Sequence, residues 1–168
     1  MNDVVREWLA KAEGDFATAM REYRARKSPN YDAVCFHAQQ CVEKYLKGFL
    51  QSHVISFAKT HSLPVLLDQC LAIRPMWEGM RNDLNDLTRY AIHFRYPGES
   101  ADKENAKAAV LIMKRCTQEI SETFAPNGRK IGNTGSRKDG KAVMMSHYKA
   151  VSVVREAQAK YRIARKKA

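Results

Sequence analysis

The stretch YDAVCFHAQQCVEKYLKGFLQS (residues 31–52) decides the fold. Val34, Cys35, Ala38, Cys41, Val42, Tyr45, Leu46, Phe49 and Leu50 recur every three or four positions along it. This is one unbroken apolar stripe of a 3.6-residue period, and it predicts a helix from about Tyr31 to Ser52. Glu43 and Lys47, four apart, read as a favourable ion pair on the opposite face. His37, Gln40, Lys44 and Lys47 also step by three or four, so they line one side of the helix.

The same period extends outward in both directions. Upstream, Val5, Trp8, Leu9, Ala12, Phe16, Ala19, Met20 and Tyr23 predict a helix from about Asp3 to Arg26. Ser28-Pro29-Asn30 then forms a turn, because the proline ring disfavours helical geometry at Ser28. Two long helices joined so briefly make an antiparallel hairpin. Downstream, Ser62 is a candidate N-cap and Pro64 suits a first helical turn, so Leu63 to Leu71 reads as a third helix. Pro75 ends that segment. A fourth helix runs from about Met76 to Phe94 and stops at Pro97-Gly98. A fifth, from about Ala101 to Phe124, carries Ala106, Ala109, Val110, Met113, Cys116, Ile120 and Phe124. With no convincing strand, residues 1–124 are expected to be an all-α, five-helix up-and-down bundle built on the long hairpin. Residues 125–141 read as a flexible basic linker. In residues 142–168 a helical period returns in a basic tail.

Charge separates these regions. The chain has 29 Lys and Arg and 18 Asp and Glu. Residues 125–168 hold 12 of the bases and two of the acids, Asp139 and Glu156, for a net charge of +10. The other 17 bases and 16 acids give residues 1–124 a net charge of only +1. An argument from basicity to nucleic acid is therefore an argument about the tail. No stretch reaches the roughly 20 apolar residues a membrane span needs. The opening MNDVVREWLAKAEGD lacks the apolar core of a signal peptide, so the expected location is the cytoplasm. Cys35, Cys41, Cys70 and Cys116 form no CxxC pair and have no histidine at zinc-finger spacing. They are expected to be buried free thiols, with neither a metal nor a cofactor.

Two clusters are candidates for chemistry. The first is the polar side of the second helix, where His37, Lys44 and Lys47 suit either ligand contact or an ordinary solvated face. The second is RYAIHFRYPG (89–98). Arg89 and His93 share a helical face, and Arg95 arrives at its end. An arginine fork grips phosphate oxygens in two places and Tyr96 can stack on a base. The same cations also suit plain helix capping. His61, just before the third helix, is a weaker candidate. GxGxxG, Walker A, HExxH and GxSxG motifs are all missing.

FHAQQCVEKYLKGFL (36–50), THSLPVLL (60–67) and TRYAIHFRYPGE (88–99) together resemble the HEPN family, in order and on the helices derived above. The resemblance covers residues 1–124 and not the tail. It implies a helical bundle that dimerises and is often paired with a minimal nucleotidyltransferase in toxin–antitoxin-type systems. Ribonuclease members carry Arg-x(4–6)-His. Here Arg89 and His93 have three residues between them, so the motif is not matched. The resemblance therefore implies first a nucleotide- or phosphate-binding module that docks a nucleotidyltransferase. On that reading Arg95 and Tyr96 make ligand contact, with His37, Lys44, Lys47 and His61 as further candidates.

Two other functions stay open. One is a metal-independent ribonuclease using Arg89 and His93. The other is tethering to nucleic acid through the tail, whose cations would release condensed counterions from phosphates. In that case, removing residues 126–168 is expected to abolish the steeply salt-dependent part of RNA binding in a filter or fluorescence titration. Salt dependence that survives the truncation would exclude tethering by the tail.

Overall fold

Two asparagines start the two longest helices. The Asn2 side-chain oxygen accepts the Val4 N–H at 2.7 Å ahead of α1 (Asp3–Tyr23). Asn30 does the same for Ala33 at 2.9 Å ahead of α2 (Tyr31–Ser52). Each satisfies one of the donors that a helix start leaves unpaired. The structure, a computed structural model, describes residues 2–57 and 59–124. Within them follow α3 (Leu63–Leu71), a 3-10 helix (Pro75–Met80), α4 (Arg81–His93), α5 (Lys103–Ser121) and a 3-10 turn (Glu122–Phe124). The described residues contain no strand. The all-α five-helix fold expected from the sequence is the fold observed. One compact unit spans Met1–Ile120, and a second begins at Ser121. The expected linker and tail lie outside the described residues.

The contacts between helices set their directions. On α1 and α2, Leu9 faces Gly48, Glu13 receives the Tyr45 hydroxyl and Asp15 meets Lys44 and His37. Position numbers rise on one helix as they fall on the other, so the hairpin is antiparallel. The Phe49 and Trp77 ring centres lie 4.5 Å apart at one end of α2. At its other end α2 lies against the last turn of α4 across a cavity, so these helices are antiparallel as well. Arg81 reaches Asp68 across α3 and α4 at 2.7 Å, and Arg115 pairs with Asp83 across α5 and α4.

The core centres on α2. Thirteen of its 22 residues are buried, including Leu46, Phe49 and Leu50 with no exposed surface. Opposite stand Leu63, Leu66 and Leu67 from α3, Leu84 and Leu87 from α4, and Met113 and Ile120 from α5, all equally covered. Each such side chain contributes about 2 kcal/mol through the surface it removes from water. All four cysteines are buried and free, as expected. Burial pushes the Cys35, Cys70 and Cys116 thiols up to about 12, so they stay protonated and inert. Tyr45 and Trp77 are buried, whereas Trp8, Tyr23 and Tyr90 are half-buried.

The elements differ from the sequence reading mainly at their ends. α1 stops at Tyr23 rather than Arg26, where Ala25 N–H already bonds Glu22 C=O in a tightened last turn. The fourth helix opens as a 3-10 segment because Pro75 supplies no N–H and Gly79 propagates a helix poorly. Ser62 precedes α3 without a side-chain cap, and the Leu63 N–H instead meets Thr88 Oγ1 at 3.4 Å. Gly98 turns the chain at φ 103°, a conformation a side chain would resist.

Val54 carries the least favourable backbone geometry. It sits just past α2 at φ 58°, where its neighbour's Ile55 N–H bonds Leu50 C=O at 3.0 Å. A left-handed residue in this position is normally glycine, and a β-branched one is strained. Val54 is also 90% exposed, so its side chain returns little through packing. Val54→Gly is expected to raise stability by about 0.5–1 kcal/mol, read from the midpoint of urea unfolding. A lower midpoint would show that the valine is not strained.

Candidate functional site

Because α2 is covered on nearly all sides, polar residues on it end up indoors. Glu43 is 3% exposed and Lys47 7%. The pair expected on the solvent side is therefore buried, which corrects the sequence reading. The reason lies outside α2: Trp8 of α1 and Phe57 of the following loop close over it. The Lys47 Nζ lies 5.8 Å from the Trp8 ring centre and 6.0 Å from that of Phe57. Both faces attract a cation.

Four other groups meet at the Glu43 carboxylate. Lys47 Nζ donates to it at 2.8 Å, Gln39 Nε2 at 3.0 Å and Gln40 Nε2 at 3.3 Å. His61 Nδ1 stands 3.2 Å from both oxygens, and Gln39 Nε2 also donates to the His61 backbone oxygen at 2.9 Å. Burial alone would push the Glu43 carboxyl up. The hydrogen bonds from Lys47 and Gln39, the Lys47 charge and the His61 contact together hold it below the ordinary value. Glu43 is thus a carboxylate, and it ties the loop carrying His61 to the middle of α2.

A second polar cluster begins one turn nearer the start of α2. Asp15 of α1 receives Lys44 and lies 2.9 Å from His37 Nδ1. That contact leaves Nε2 as the uncommitted nitrogen of His37. His37 in turn lines a cavity of about 340 Å³. From the cap and first turns of α2 come Asn30, Asp32, Ala33 and Phe36 as well, and from α4 and its end come Tyr90, Ala91, Phe94 and Arg95. The walls are aromatic: the Tyr90 and Phe94 rings stack with centres 5.9 Å apart at 22°. The Arg95 guanidinium carbon sits 5.3 Å over the Phe36 ring. A cavity of this size is at the small end of ligand sites, enough for a single flat ring system with a charged group.

The sequence-level candidates divide between these places. His37 and Arg95 come together at the cavity. Lys47 and His61 belong to the Glu43 network, and Lys44 is held by Asp15. Tyr96 is 65% exposed and does not line the cavity. Neither do Arg89 and His93. Arg89 donates to Asp86 at 3.0 Å, and His93 stands 4.0 Å from Glu99. Of Arg89, Arg95, Lys44 and Lys47, Arg95 alone faces no carboxylate among the described residues.

Sequence reasoning overlooked Asp15, Asp32 and Phe36. Asp32 looks like an ordinary acidic residue in a first helical turn. Phe36 and Asp15 matter only through tertiary partners. Among the described residues, no group of three or more His, Cys, Asp or Glu stands together as a metal site. No helix among them is long and apolar enough to cross a membrane.

A family model described as HEPN domain matches residues 5–123 of the chain. No curated protein and no solved structure matches it.

The Glu43 network predicts an acid-sensitive fold. A carboxyl held low in the folded state stabilises fully above its unfolded value of about 4.3, and that stabilisation is lost as pH falls through the lower folded value. Glu43→Gln leaves Lys47 buried without its counter-charge, at an expected cost of about 3 kcal/mol at pH 7. It should also flatten the loss of stability below about pH 4.3. Urea unfolding at pH 7 and pH 3.5 checks both. A change under about 1 kcal/mol at pH 7 would mean that water already screens the pair.

Proposed function

Because the chain belongs to the HEPN family, we propose that it is a nucleotide-binding module whose ligand sits in the cavity between the start of α2 and the end of α4. The observation that carries this reading is the unpaired Arg95 guanidinium beside aromatic walls. A phosphate needs a cation that is not already neutralised, and a base needs a flat apolar face. Phe36, Tyr90 and Phe94 offer such faces, and His37 adds a second polar contact. The cavity volume favours one nucleotide over a longer oligomer.

The family resemblance extends the reading to a homodimer that docks a nucleotidyltransferase, in a toxin–antitoxin-type system. Ile92 and Tyr96, 58% and 65% exposed at the cavity end of α4, offer apolar surface for such contacts. Light scattering that finds a monomer, alone and mixed with a nucleotidyltransferase, would remove this extension. The ribonuclease reading has less support, since Arg89 is committed to Asp86 and neither it nor His93 reaches the cavity. RNA cleavage lost in His93→Ala would restore it.

The ligand itself is tested by calorimetric titration with the four 5′-ribonucleoside monophosphates and their nucleosides. At least one monophosphate should bind. Arg95→Ala is expected to weaken it by about 10–30-fold, the contribution of a charge-assisted hydrogen bond to phosphate. Nucleoside binding should change by less than about twofold, since no phosphate contact is lost. Failure of every monophosphate to bind, or equal weakening of nucleoside and nucleotide, would overturn the reading.

A further inference from the structure

The cavity is polarised along α2. At its start stand Asn30 and Asp32, and one turn later stand Phe36 and His37, with Arg95 packed on the Phe36 ring. Four residues of helix rise by about 6 Å, comparable to the size of the cavity. A ligand lying in it therefore meets the Asp32 carboxylate at one end and a free cation at the other.

Asp32 is held in place. Its Oδ1 accepts the backbone N–H of Ala101 at 2.6 Å, which leaves Oδ2 and the second lone pair of Oδ1 uncommitted. Asp102, next to Ala101, has its own carboxylate committed to the Asn105 N–H and does not line the cavity. After burial itself, the negative charges of Asp32 and Asp102 are what push the Cys35 thiol up. The Asp32 carboxylate at this end repels a phosphate. The phosphate then belongs at Arg95, and the far end of the ligand must present N–H donors.

Resting on the nucleotide reading above, we propose that the cavity selects guanine, with Asp32 accepting from the base edge and Arg95 holding the phosphate. A carboxylate only accepts hydrogen bonds. Guanine presents two adjacent donors, N1–H and the N2 amino group, to such an acceptor. Adenine and cytosine each place a ring-nitrogen lone pair beside their one amino donor, and a carboxylate repels it. Uracil flanks its single N–H with two carbonyl oxygens. Guanine alone meets Asp32 without an opposing lone pair.

The test compares GMP, AMP, CMP and UMP on the full chain by calorimetric titration. GMP is expected to bind at least about tenfold more tightly than each of the others, in the range of one good bidentate base contact. Asp32→Asn keeps an oxygen for the Ala101 N–H but adds a donor, so the GMP-to-AMP ratio should fall below about threefold. Arg95→Ala should weaken all four nucleotides and leave their ratios unchanged. IMP, which lacks the N2 amino group, keeps the question answerable on the unmodified chain if Asp32→Asn does not fold. It should bind about five- to tenfold more weakly than GMP. Equal affinity for all four monophosphates would overturn guanine selection and leave the phosphate reading standing. A preference that persists in Asp32→Asn, or IMP binding as well as GMP, would overturn it too. No binding by any monophosphate would overturn both.

Discussion

A charged pair in the middle of the central helix constrains everything around it. Glu43 and Lys47 sit where α2 is enclosed by neighbours, and an unpaired charge there would cost several kcal/mol. The carboxylate has acceptor sites to fill and the ammonium has donors. Lys47, Gln39, Gln40 and His61 fill the first. The Trp8 and Phe57 faces shield the second. To meet these demands the loop after α2 must return over the helix, and α1 must bring Trp8 to the same level. An apolar pair of equal volume would have packed without fixing either.

The other half of α2 is freed from that task. Near its start the neighbours are α1, through Asp15, and the end of α4, through Tyr90, Phe94 and Arg95. Antiparallel packing of α2 on α4 puts a helix start beside a helix end, and the aromatic side chains there are too bulky to close the gap. The cavity is a consequence of that packing. Its charge pattern has a separate origin: Asp32 is fixed by Ala101 at the entry to α5, and Arg95 by the Phe36 ring.

Elements that obey one period were legible in the sequence. α2 begins and ends at the residues its apolar stripe indicates, and most of the stripe residues of α1 and α5 lie on their buried faces. What escaped was decided by tertiary contact. Glu43 and Lys47 have the spacing of a solvent-facing ion pair, and nothing within α2 says that Trp8 and Phe57 will cover them. Arg95 was legible as a cation beside a Pro-Gly turn. Its aromatic support was not, because Phe36 lies 59 positions earlier. His37 and Lys44 both appeared on one face, but Asp15, which binds the two, comes from another helix.

The distribution of neutralised charge sets how this molecule can recognise an anion. Residues 1–124 carry a net charge of only +1, and Lys44, Lys47, Arg81, Arg89 and Arg115 are each matched by a carboxylate. Little field is left to draw a polyanion over the Debye length of about 8–10 Å at physiological salt. On the proposed reading, recognition by this part of the chain works through contacts, where the Arg95 guanidinium, a flat wall and a fixed acceptor each act within hydrogen-bonding or stacking range. On the tethering reading, the net +10 of residues 125–168 would act by the opposite rule, at longer range and without choosing a base. On these two readings selectivity and attraction reside in different parts of the sequence, and a change in salt concentration would act strongly on the second and weakly on the first.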